Sequence, residues 1–349
     1  MSLFEDGFVQ QEQQRIITTS RFLFLDQGTR KLINTLPHLS VNCCCCTRNT
    51  MRAASHAGSW YESNPGILSF QIDEFLSQAQ QSIGTNIETF NNSKAIIAPH
   101  AGYRYSGKTA GYSYACLLKN SAKIKRVYVF GPSHYLSSKK CILSVASSLE
   151  TPLGQLLVDQ KEIETLLKET GFTKWNSLQE EEEEHSIEMH LPFVYRIYGS
   201  NPELRVIPIA VGHLSQITQE SIAKVLKNRF MDPETVFIVS SDFCHWGSRF
   251  RYQYRTDVNI PIYQSIERVD RDGMSLIESK STSSFQDYLE ETKNTICGRH
   301  PISLLLSIVS DLDDSDHIKI KFISYAQSSQ CLSMSDSSVS YAAGVLFFH

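Results

Sequence analysis

The sequence contains no uninterrupted apolar stretch of the roughly 18 residues that a transmembrane helix requires. Its first residues, Met-Ser-Leu-Phe-Glu-Asp, also lack the basic start, apolar segment and small-residue cleavage site of a secretory signal. We therefore expect a protein without a membrane span that resides in the cytoplasm, with the nucleus as a second compartment.

The sequence also has no excess of positive charge. Its formal net charge is -4 and its isoelectric point is about 6.3. Such a balance provides no broad basic surface to hold phosphate groups, which argues against nucleic acid as a partner. The chain also lacks the Gly-x-Gly-x-x-Gly, P-loop and Gly-x-Ser-x-Gly signatures. Dinucleotide binding, P-loop nucleotide binding and α/β-hydrolase chemistry thus have no local support.

The nine cysteines do not form a disulfide framework, since their number is odd and four of them, at positions 43–46, are consecutive. These four lie in residues 1–50, which show no sustained periodicity and are predicted to be a poorly ordered N-terminal extension. Palmitoylation, metal binding and no role at all are open alternatives for the consecutive cysteines. The other five lie far apart and are predicted to be free thiols: Cys116, Cys141, Cys244, Cys297 and Cys331.

The rest of the 349-residue chain, residues 51–349, alternates apolar strands with amphipathic helices, and 41% of all residues are hydrophobic. No repeat or low-complexity linker divides it. We therefore predict a single α/β domain, in which helices flank both faces of a central, mostly parallel or mixed β-sheet. Its clearest strands are predicted at 94–98, 126–130, 204–211, 235–240 and 339–347, and its clearest helices at 67–82, 107–118, 185–198 and 219–230.

Two histidines stand directly after predicted strands, each in a proline-containing turn that restrains the backbone. His100 follows strand 94–98, and His134 follows strand 126–130. Because ligands bind at strand ends in α/β sheets, and because imidazole is a common metal ligand, these settings favour a shared metal ion. A lone histidine in such a turn is more often a hydrogen-bonded structural residue, and that alternative stays open.

A carboxylate and an imidazole stand three residues apart after another predicted strand, 235–240. In the string Ser241-Asp-Phe-Cys-His-Trp246, Asp242 and His245 are neighbours if a helical turn begins there. A carboxylate can orient an imidazole, raise its basicity or complete a ligand set, so both are candidate catalytic residues. The alternative is that Asp242 caps a helix while His245 packs against Trp246.

Cys297 lies just before a predicted helix that has Pro301 in its first turn. The positive end of the helix dipole and the neighbouring Arg299 both favour the thiolate, which is the form of cysteine that binds metals or attacks electrophiles. Cys297 is therefore a candidate ligand, and Arg299 a candidate wall of the same pocket. A small buried thiol in a turn is the alternative.

The segment that begins at His185 invites comparison with the helices of zinc proteases. Those helices place two histidines four residues apart, whereas His185 and His190 are five apart, or about 140° around a helix. Both cannot face one ion in a continuous helix over 185–198, so a zinc peptidase is not expected. We predict instead that His185, Glu188 and His190 line the pocket wall. The acidic residues 180–184 before them are expected to form a solvated loop or a first helical turn.

Seven strings, spread in order over the chain, together resemble the Memo family, which is named for mediators of receptor-tyrosine-kinase-driven cell motility. The resemblance covers about residues 53–349 and leaves out residues 1–50, since family members begin close to Met51. The strings are Ser55-His-Ala-Gly-Ser-Trp-Tyr61, Ala98-Pro-His-Ala-Gly-Tyr103, Gly131-Pro-Ser-His134, Glu184-His-Ser-Ile-Glu-Met-His-Leu-Pro192, Ser240-Ser-Asp-Phe-Cys-His-Trp-Gly247, Thr295-Ile-Cys-Gly-Arg-His-Pro301 and Tyr325-Ala-Gln-Ser-Ser-Gln330.

This resemblance implies a fold similar to that of class III extradiol ring-cleaving dioxygenases. It also implies a metal pocket that maps by motif to His100, His134 and Cys297, with Asp242 and His245 beside it. Those dioxygenases hold Fe(II) with two histidines and a carboxylate. Here Cys297 takes the place of the carboxylate, which argues against ring cleavage, because a soft thiolate favours copper, zinc or a differently tuned iron. The implied cofactor is copper or iron, with zinc as a third option.

Two functions of different classes follow from this pattern. In the first, the metal centre supports redox chemistry or sequesters the metal, as a metal-dependent oxidoreductase would, in signalling to cell motility and the cytoskeleton. In the second, the pocket is catalytically idle and binds a phosphotyrosine peptide from a receptor tail. Arg299 and the alternating basic and aromatic stretch 249–255 support that adaptor role. The first function requires His100, His134 and Cys297 to converge on one point.

Overall fold

A nine-stranded mixed β-sheet forms the centre of the computed structural model, which describes residues 50–312 and 317–349. Apart from Thr50, the predicted N-terminal extension and its consecutive cysteines lie outside the described residues. The strands are β1 Met51–Arg52, β2 Ser93–Ala98, β3 Arg126–Pro132, β4 Cys141–Leu143, β5 Ser148–Thr151, β6 Gly154–Leu157, β7 Thr173–Lys174, β8 Arg205–Val211, β9 Thr235–Ser240, β10 His245–Trp246, β11 Ile318–Gln327 and β12 Ser338–Phe348.

Four neighbouring strands of the large sheet run parallel, in the order β2, β9, β3 and β8. Antiparallel strands extend the sheet on either side, with β12 next to β2 and β4 next to β8. β10 and β11 pair with β12, and β7 pairs with β4. β1, β5 and β6 form a separate three-stranded sheet. The prediction of a mixed α/β domain is confirmed.

Helices flank the large sheet and pack against one another in pairs. The α-helices of the described residues are α1 Pro65–Ile83, α2 Tyr103–Ala115, α3 Gln160–Thr170, α4 Leu178–Glu183, α5 His185–Glu188, α6 Leu191–Tyr198, α7 Gln216–Met231, α8 Ile262–Glu278, α9 Thr282–Thr292 and α10 Arg299–Ser310. α1 packs on α2, which contacts β2 and β12, while α7 packs on α10, which contacts β3 and β9. In the part of the chain that the structure describes, we find no helix both long and apolar enough to cross a bilayer.

The central parallel strands carry apolar side chains on both faces. Every residue of β2 and of β9 is buried. A parallel sheet that is covered by helices on both sides requires such strands, which is why they stand out in the sequence as short apolar runs. The burial of these strands holds the sheet edge in place, and the functional candidates lie at that edge.

The predicted continuous helix over 185–198 is wrong, because the chain forms two helices, α5 and α6, separated at Met189 and His190. Pro192 lies in the first turn of α6. Proline lacks the backbone N–H that a continuous helix would donate to the carbonyl group four residues earlier, at Glu188. The break places His185 and His190 in different surroundings.

The acidic residues 180–184 also differ from the solvated segment that we expected. Most of them belong to α4, but Glu181 and Glu184 are buried, with exposed fractions of 5% and 3%. Backbone N–H groups compensate this burial, since Val145 N–H donates to Glu181 and three backbone N–H groups donate to Glu184. A buried carboxylate is stable where such donors satisfy it.

Close packing of α1 on α2 gives a first prediction. Gly111→Ala should lower the free energy of unfolding by about 1–3 kcal/mol, because a Cβ atom there would lie 2.7 Å from the backbone oxygen of Phe75. Gly66→Ala is the matched control, since its Cβ would meet only the side chain of Asn64, at 3.4 Å. Urea unfolding measures both, and equal effects of the two substitutions would contradict the close helix contact.

Candidate metal centre

The carboxyl ends of three neighbouring parallel strands bring together residues that are far apart in the sequence. His100 lies two residues beyond β2, His134 two residues beyond β3, and Asp242 two residues beyond β9. Because β9 pairs with both β2 and β3, the three residues meet at one edge of the sheet. Ser241 N–H donates to the carbonyl oxygen of Ala98 at 2.9 Å, which extends the strand pairing towards the site.

Cys297 reaches the same edge from the loop between α9 and α10. Gly298 allows this loop to approach β9 closely, since a Cβ atom there would lie 2.3 Å from the Cβ of Ser241. Gly298 N–H donates to Ser241 Oγ at 3.1 Å, and Asp242 N–H donates to Cys297 Sγ at 3.2 Å. The cysteine is thus held against the end of β9 by the backbone on both sides.

His100, His134 and Cys297 form one cluster, in which the three ligand atoms all lie within 4.8 Å of one another. Cys297 Sγ is 3.2 Å from His100 Nε2, and the ring centres of His100 and His134 are 5.2 Å apart. His100 is buried, Cys297 is half-buried and His134 is exposed. The cluster therefore opens to solvent on the side of His134.

Burial disfavours the charged forms of both inner members of the cluster, His100 and Cys297. Burial, together with the nearby His134, holds the pKa of His100 well below its usual range. Burial and the neighbouring Asp242 raise the pKa of the Cys297 thiol well above its ordinary value. Burial thus acts against the thiolate that the helix end and Arg299 were expected to favour. The thiol can donate its proton to His100 Nε2, and a cation that binds there would displace that proton.

This donor set fits a transition metal. Two neutral imidazoles and one cysteine sulfur are ligands that copper, iron and zinc share. Bond lengths of about 2.0–2.3 Å place the donor atoms around such an ion roughly 3–4 Å apart. Since the three atoms lie within 4.8 Å, small side-chain movements would complete the geometry. Three protein ligands would leave further coordination positions open.

Asp242 is buried beside the cluster. Its Oδ1 accepts hydrogen bonds from the backbone N–H groups of His100 at 2.9 Å and Ala101 at 3.3 Å. Burial raises the pKa of Asp242 to about 7, although these two bonds act in the opposite direction. Its carboxyl group can therefore hold or release a proton near neutral pH. The alternative in which Asp242 caps a helix is not seen, since β10 follows it.

His245 lies across the same site but makes different hydrogen bonds. Its Nδ1 donates to the backbone carbonyls of Phe243 at 2.9 Å and Thr295 at 3.2 Å. Both partners only accept, so Nδ1 carries the proton and Nε2 is a free acceptor. Burial lowers the pKa of His245 to about 4. At neutral pH the imidazole is uncharged and able to receive a proton.

A cleft of about 340 Å³ connects the cluster to solvent. His134, Cys297, His245 and Arg299 are among the residues that line it. None of the described lining residues is acidic, so the guanidinium group of Arg299 faces no carboxylate across the cleft. The cleft therefore combines two of the three candidate ligands with the positive charge of Arg299.

Of the other predicted wall residues, His185 lies against the site and stacks on His134 with 4.6 Å between ring centres. Burial and the nearby His134 lower the pKa of His185 to about 3. His190 is not among the residues that line the cleft, because it is buried behind α5 and its Nδ1 bonds to Tyr114 Oη at 2.8 Å. It belongs to the core and not to the expected wall.

Glu188 also lies away from the cleft, as the centre of a buried hydrogen-bond network. Its carboxylate receives hydrogen bonds from Arg52 Nη1 at 2.6 Å, His56 Nδ1 at 2.9 Å and Tyr61 Oη at 2.8 Å. Burial alone would raise the pKa of Glu188, but hydrogen bonding from His56 and the charge of Arg52 hold it at about 2. Glu188 fastens the segment around residues 52–61 to α5.

Sequence reasoning missed several residues at the site. Ser240 and Glu184 hydrogen-bond to the Nδ1 atoms of His100 and His134, at 2.6 Å and 3.0 Å. At the mouth of the cleft, His213 and His300 are joined by a 2.9 Å contact between ring nitrogens. The one sequence signal that could have indicated Ser240 is its place as the last residue of the predicted strand 235–240.

Comparison with known proteins agrees with the motifs. A family model described as "Memo-like protein" matches residues 52–345. The chain belongs to the Memo family. Its relatives include Protein MEMO1 of Xenopus laevis, 45% identical over 304 residues that span 86% of this chain and 99% of the relative. Protein MEMO1 of Homo sapiens is 44% identical with the same coverage. The Protein memo-1 homolog of Caenorhabditis elegans is 41% identical over 301 residues, 85% of this chain and 83% of the relative.

The Glu188 network of this Memo-family protein gives a pH-dependent prediction. Glu188→Gln should lower the free energy of unfolding at pH 7 by about 3–5 kcal/mol, because it leaves Arg52 buried without a counter-charge. The folded pKa of Glu188 is about 2 and its ordinary value 4.5. Its stabilising contribution is therefore complete above about pH 4.5 and is lost as the pH falls towards 2.

Urea unfolding at pH 7, 4 and 3 measures this effect, and the difference between wild type and Glu188→Gln should shrink at each step. Glu183→Gln is the control, since Glu183 is exposed and lies only five residues before Glu188, at the end of the preceding helix α4. A difference that stays constant from pH 7 to pH 3 would rule out a charged Glu188 as its source.

Proposed function

We propose that this Memo-family protein binds a redox-active metal, copper or iron, through His100, His134 and Cys297. The observation that supports this proposal is the cluster itself, whose three ligand atoms lie within 4.8 Å of one another and two of whose residues, His134 and Cys297, line an open cleft. Zinc is compatible with the same donors. The proposed cellular role is signalling to cell motility and the cytoskeleton, in line with the name of the family. The proposed compartment is the cytoplasm, with the nucleus as a second one.

Asp242 and His245 would manage protons at such a centre. Asp242, whose pKa burial raises to about 7, can release or take up a proton close to His100. His245 lines the cleft and presents its unprotonated Nε2, so it can accept a proton from a group bound in the cleft. Copper or iron bound at this site would supply one-electron chemistry, and the protein residues would supply or remove the accompanying protons.

The cysteine ligand sets the expected chemistry apart from that of ring-cleaving enzymes. We propose a fold similar to class III extradiol dioxygenases, in which Cys297 stands where those enzymes have a carboxylate. Sulfur is a softer ligand than carboxylate and favours copper, zinc or an iron of altered reactivity. A metal-dependent oxidoreductase other than a ring-cleaving dioxygenase, or a metal-holding protein, is the function that this donor set supports.

The metal content of purified full-length protein tests this proposal. Wild type should contain close to one equivalent of copper or iron after loading and desalting, while His134→Ala and Cys297→Ala should lose most of it. Inductively coupled plasma mass spectrometry measures the content. His213→Ala and Cys116→Ala serve as controls, because His213 lines the cleft outside the cluster and Cys116 is buried elsewhere.

The two controls should keep the wild-type metal content. Unchanged metal in both His134→Ala and Cys297→Ala would overturn the assignment of the ligands. Circular dichroism spectra would show whether each variant keeps its fold, so that loss of metal is not confused with unfolding.

A second candidate function, recognition of a phosphotyrosine peptide, is favoured by the charge of the cleft. Arg299 lines it, no described lining residue is acidic, and the Arg249 guanidinium lies 4.5 Å from the ring centre of Phe250, another lining residue. Guanidinium groups bind phosphate well. Not all of the stretch 249–255 is free for such a role, since Arg255 donates to the backbone carbonyls of Val258 and Ile260.

Calorimetry with receptor-tail peptides tests the adaptor function. A phosphorylated peptide should bind more tightly than its unphosphorylated form, and Arg299→Met should weaken that binding about 10-fold or more by removing a charged hydrogen-bond donor. Arg104→Met is the control for the loss of a guanidinium group, because Arg104 is exposed and is not among the residues that line the cleft. Equal binding of both peptides would refute the adaptor function.

A further inference from the structure

The two histidines of the cluster are both held through Nδ1 by other protein groups. His134 Nδ1 lies 3.0 Å from Glu184 Oε1, and His100 Nδ1 lies 2.6 Å from Ser240 Oγ. A histidine can bind a metal only through a nitrogen that carries no proton. Which nitrogen that is depends on whether each partner donates or accepts a hydrogen bond.

At His134 the partner can only accept. Glu184 Oε2 receives the backbone N–H groups of His134 and Tyr135, and Oε1 receives the backbone N–H of Ser186 at 2.9 Å. A carboxyl group surrounded by three N–H donors is held as the carboxylate, which has no proton to donate. His134 Nδ1 must therefore carry the proton, and Nε2 is left free.

At His100 the direction of the hydrogen bond to Nδ1 follows from the fact that a serine hydroxyl group has only one proton to donate. Ser240 Oγ lies 2.8 Å from the carbonyl oxygen of Ser186, which can only accept, so the Ser240 hydroxyl proton is used in that bond. Towards His100 the same oxygen can only accept, and Nδ1 must again carry the proton. The free Nε2 of His100 is the atom that lies 3.2 Å from Cys297 Sγ.

Ser186 connects the two arrangements. Its backbone N–H donates to Glu184, its carbonyl accepts from Ser240, and its own Oγ donates to the carbonyl of Pro132 at 2.8 Å. Pro132 lies two residues before His134. One short segment, residues 184–186, thus contacts His134 directly through Glu184 and His100 indirectly through Ser240. Its bond to Pro132 anchors it to β3.

We propose that residues 184–186 and Ser240 set both histidines in the Nδ1–H tautomer, so that both Nε2 atoms carry a free lone pair before any metal arrives. Glu184 and Ser240 are then positioning residues of the centre. This inference deepens the proposed metal-binding function and rests on it. Free histidine in water prefers the opposite, Nε2–H form, so the protein must impose this arrangement. A pre-set pair of ligands needs no tautomer change when it binds a metal.

The tautomers can be observed directly in the metal-free, full-length protein. Long-range ¹H–¹⁵N correlation spectra of protein with labelled histidine distinguish the two forms, and His134→Asn and His100→Asn assign the signals by their disappearance. His134 and His100 should both show the Nδ1–H pattern. An Nε2–H pattern at either histidine would overturn the proposal, whether or not the wild type binds a metal.

Metal affinity gives an independent readout. Glu184→Gln and Ser240→Ala should each weaken Zn²⁺ binding by about 10–100-fold, as measured by competition with a chromophoric chelator. Zn²⁺ is the probe because it does not oxidise the thiol. Ser240→Thr, which keeps the hydroxyl group, should recover most of the affinity. A recovery in Ser240→Thr would not be expected if Ser240 only filled space.

Two matched controls complete the design. Glu183→Gln removes the same charge one residue away at an exposed position, and Ser113→Ala removes another buried hydroxyl that donates to a backbone carbonyl, that of Ile97. Both should bind Zn²⁺ within about twofold of wild type. Equal affinities of Glu184→Gln and Glu183→Gln would count against the positioning role. Absence of Zn²⁺, copper and iron binding in wild type, with both Nδ1–H tautomers present, would refute the metal function but leave the tautomer assignment intact.

Discussion

The in-register parallel pairing of β2, β9 and β3 is the constraint on which the rest of the site depends. Each strand is buried and apolar, and each carries a functional candidate two residues beyond its carboxyl end. The pairing therefore places His100, Asp242 and His134 side by side without any direct bond among their side chains. The loop with Cys297 and Gly298 packs against the end of β9, so the fourth member of the site depends on the same strands.

Buried carboxylates provide the second level of organisation. Glu184 and Glu188 lie one helical turn apart, and each is almost fully enclosed by hydrogen-bond donors. Glu188 fastens the segment around residues 52–61, and Glu184 holds the turn that carries His134. An enclosed carboxylate is costly unless donors surround it, so each of these residues commits several chain segments to one arrangement. The two buried carboxylates thus connect segments inside the fold. The positions of the two histidines and of β1 depend on them.

Much of the fold could be predicted from the sequence because a buried strand has a local pattern, a short run of apolar residues. The apolar runs at β2, β3, β8 and β9 predicted the strands to within about two residues, and the proline turns after two of them marked His100 and His134. The helix over 185–198 was predicted wrongly because its apolar residues continue through a break that Pro192 enforces. The burial of Glu181 and Glu184 could not be predicted from neighbouring residues, since most of the backbone N–H groups that compensate it, those of Val145, His134 and Tyr135, lie 36 to 50 residues away.

The sequence alone determined the chemistry that is available: two histidines and a cysteine after strands and before a helix, in strings that identify the family. These features are local, since residue type and apolar periodicity are properties of neighbouring positions. Only the tertiary structure decided which side chains share a site. It brought Ser240 and Glu184 to the histidines, and it moved Glu188 and His190 into the core. Hydrogen-bond partners and burial depend on contacts between distant segments, and a linear pattern carries no distance information about those contacts.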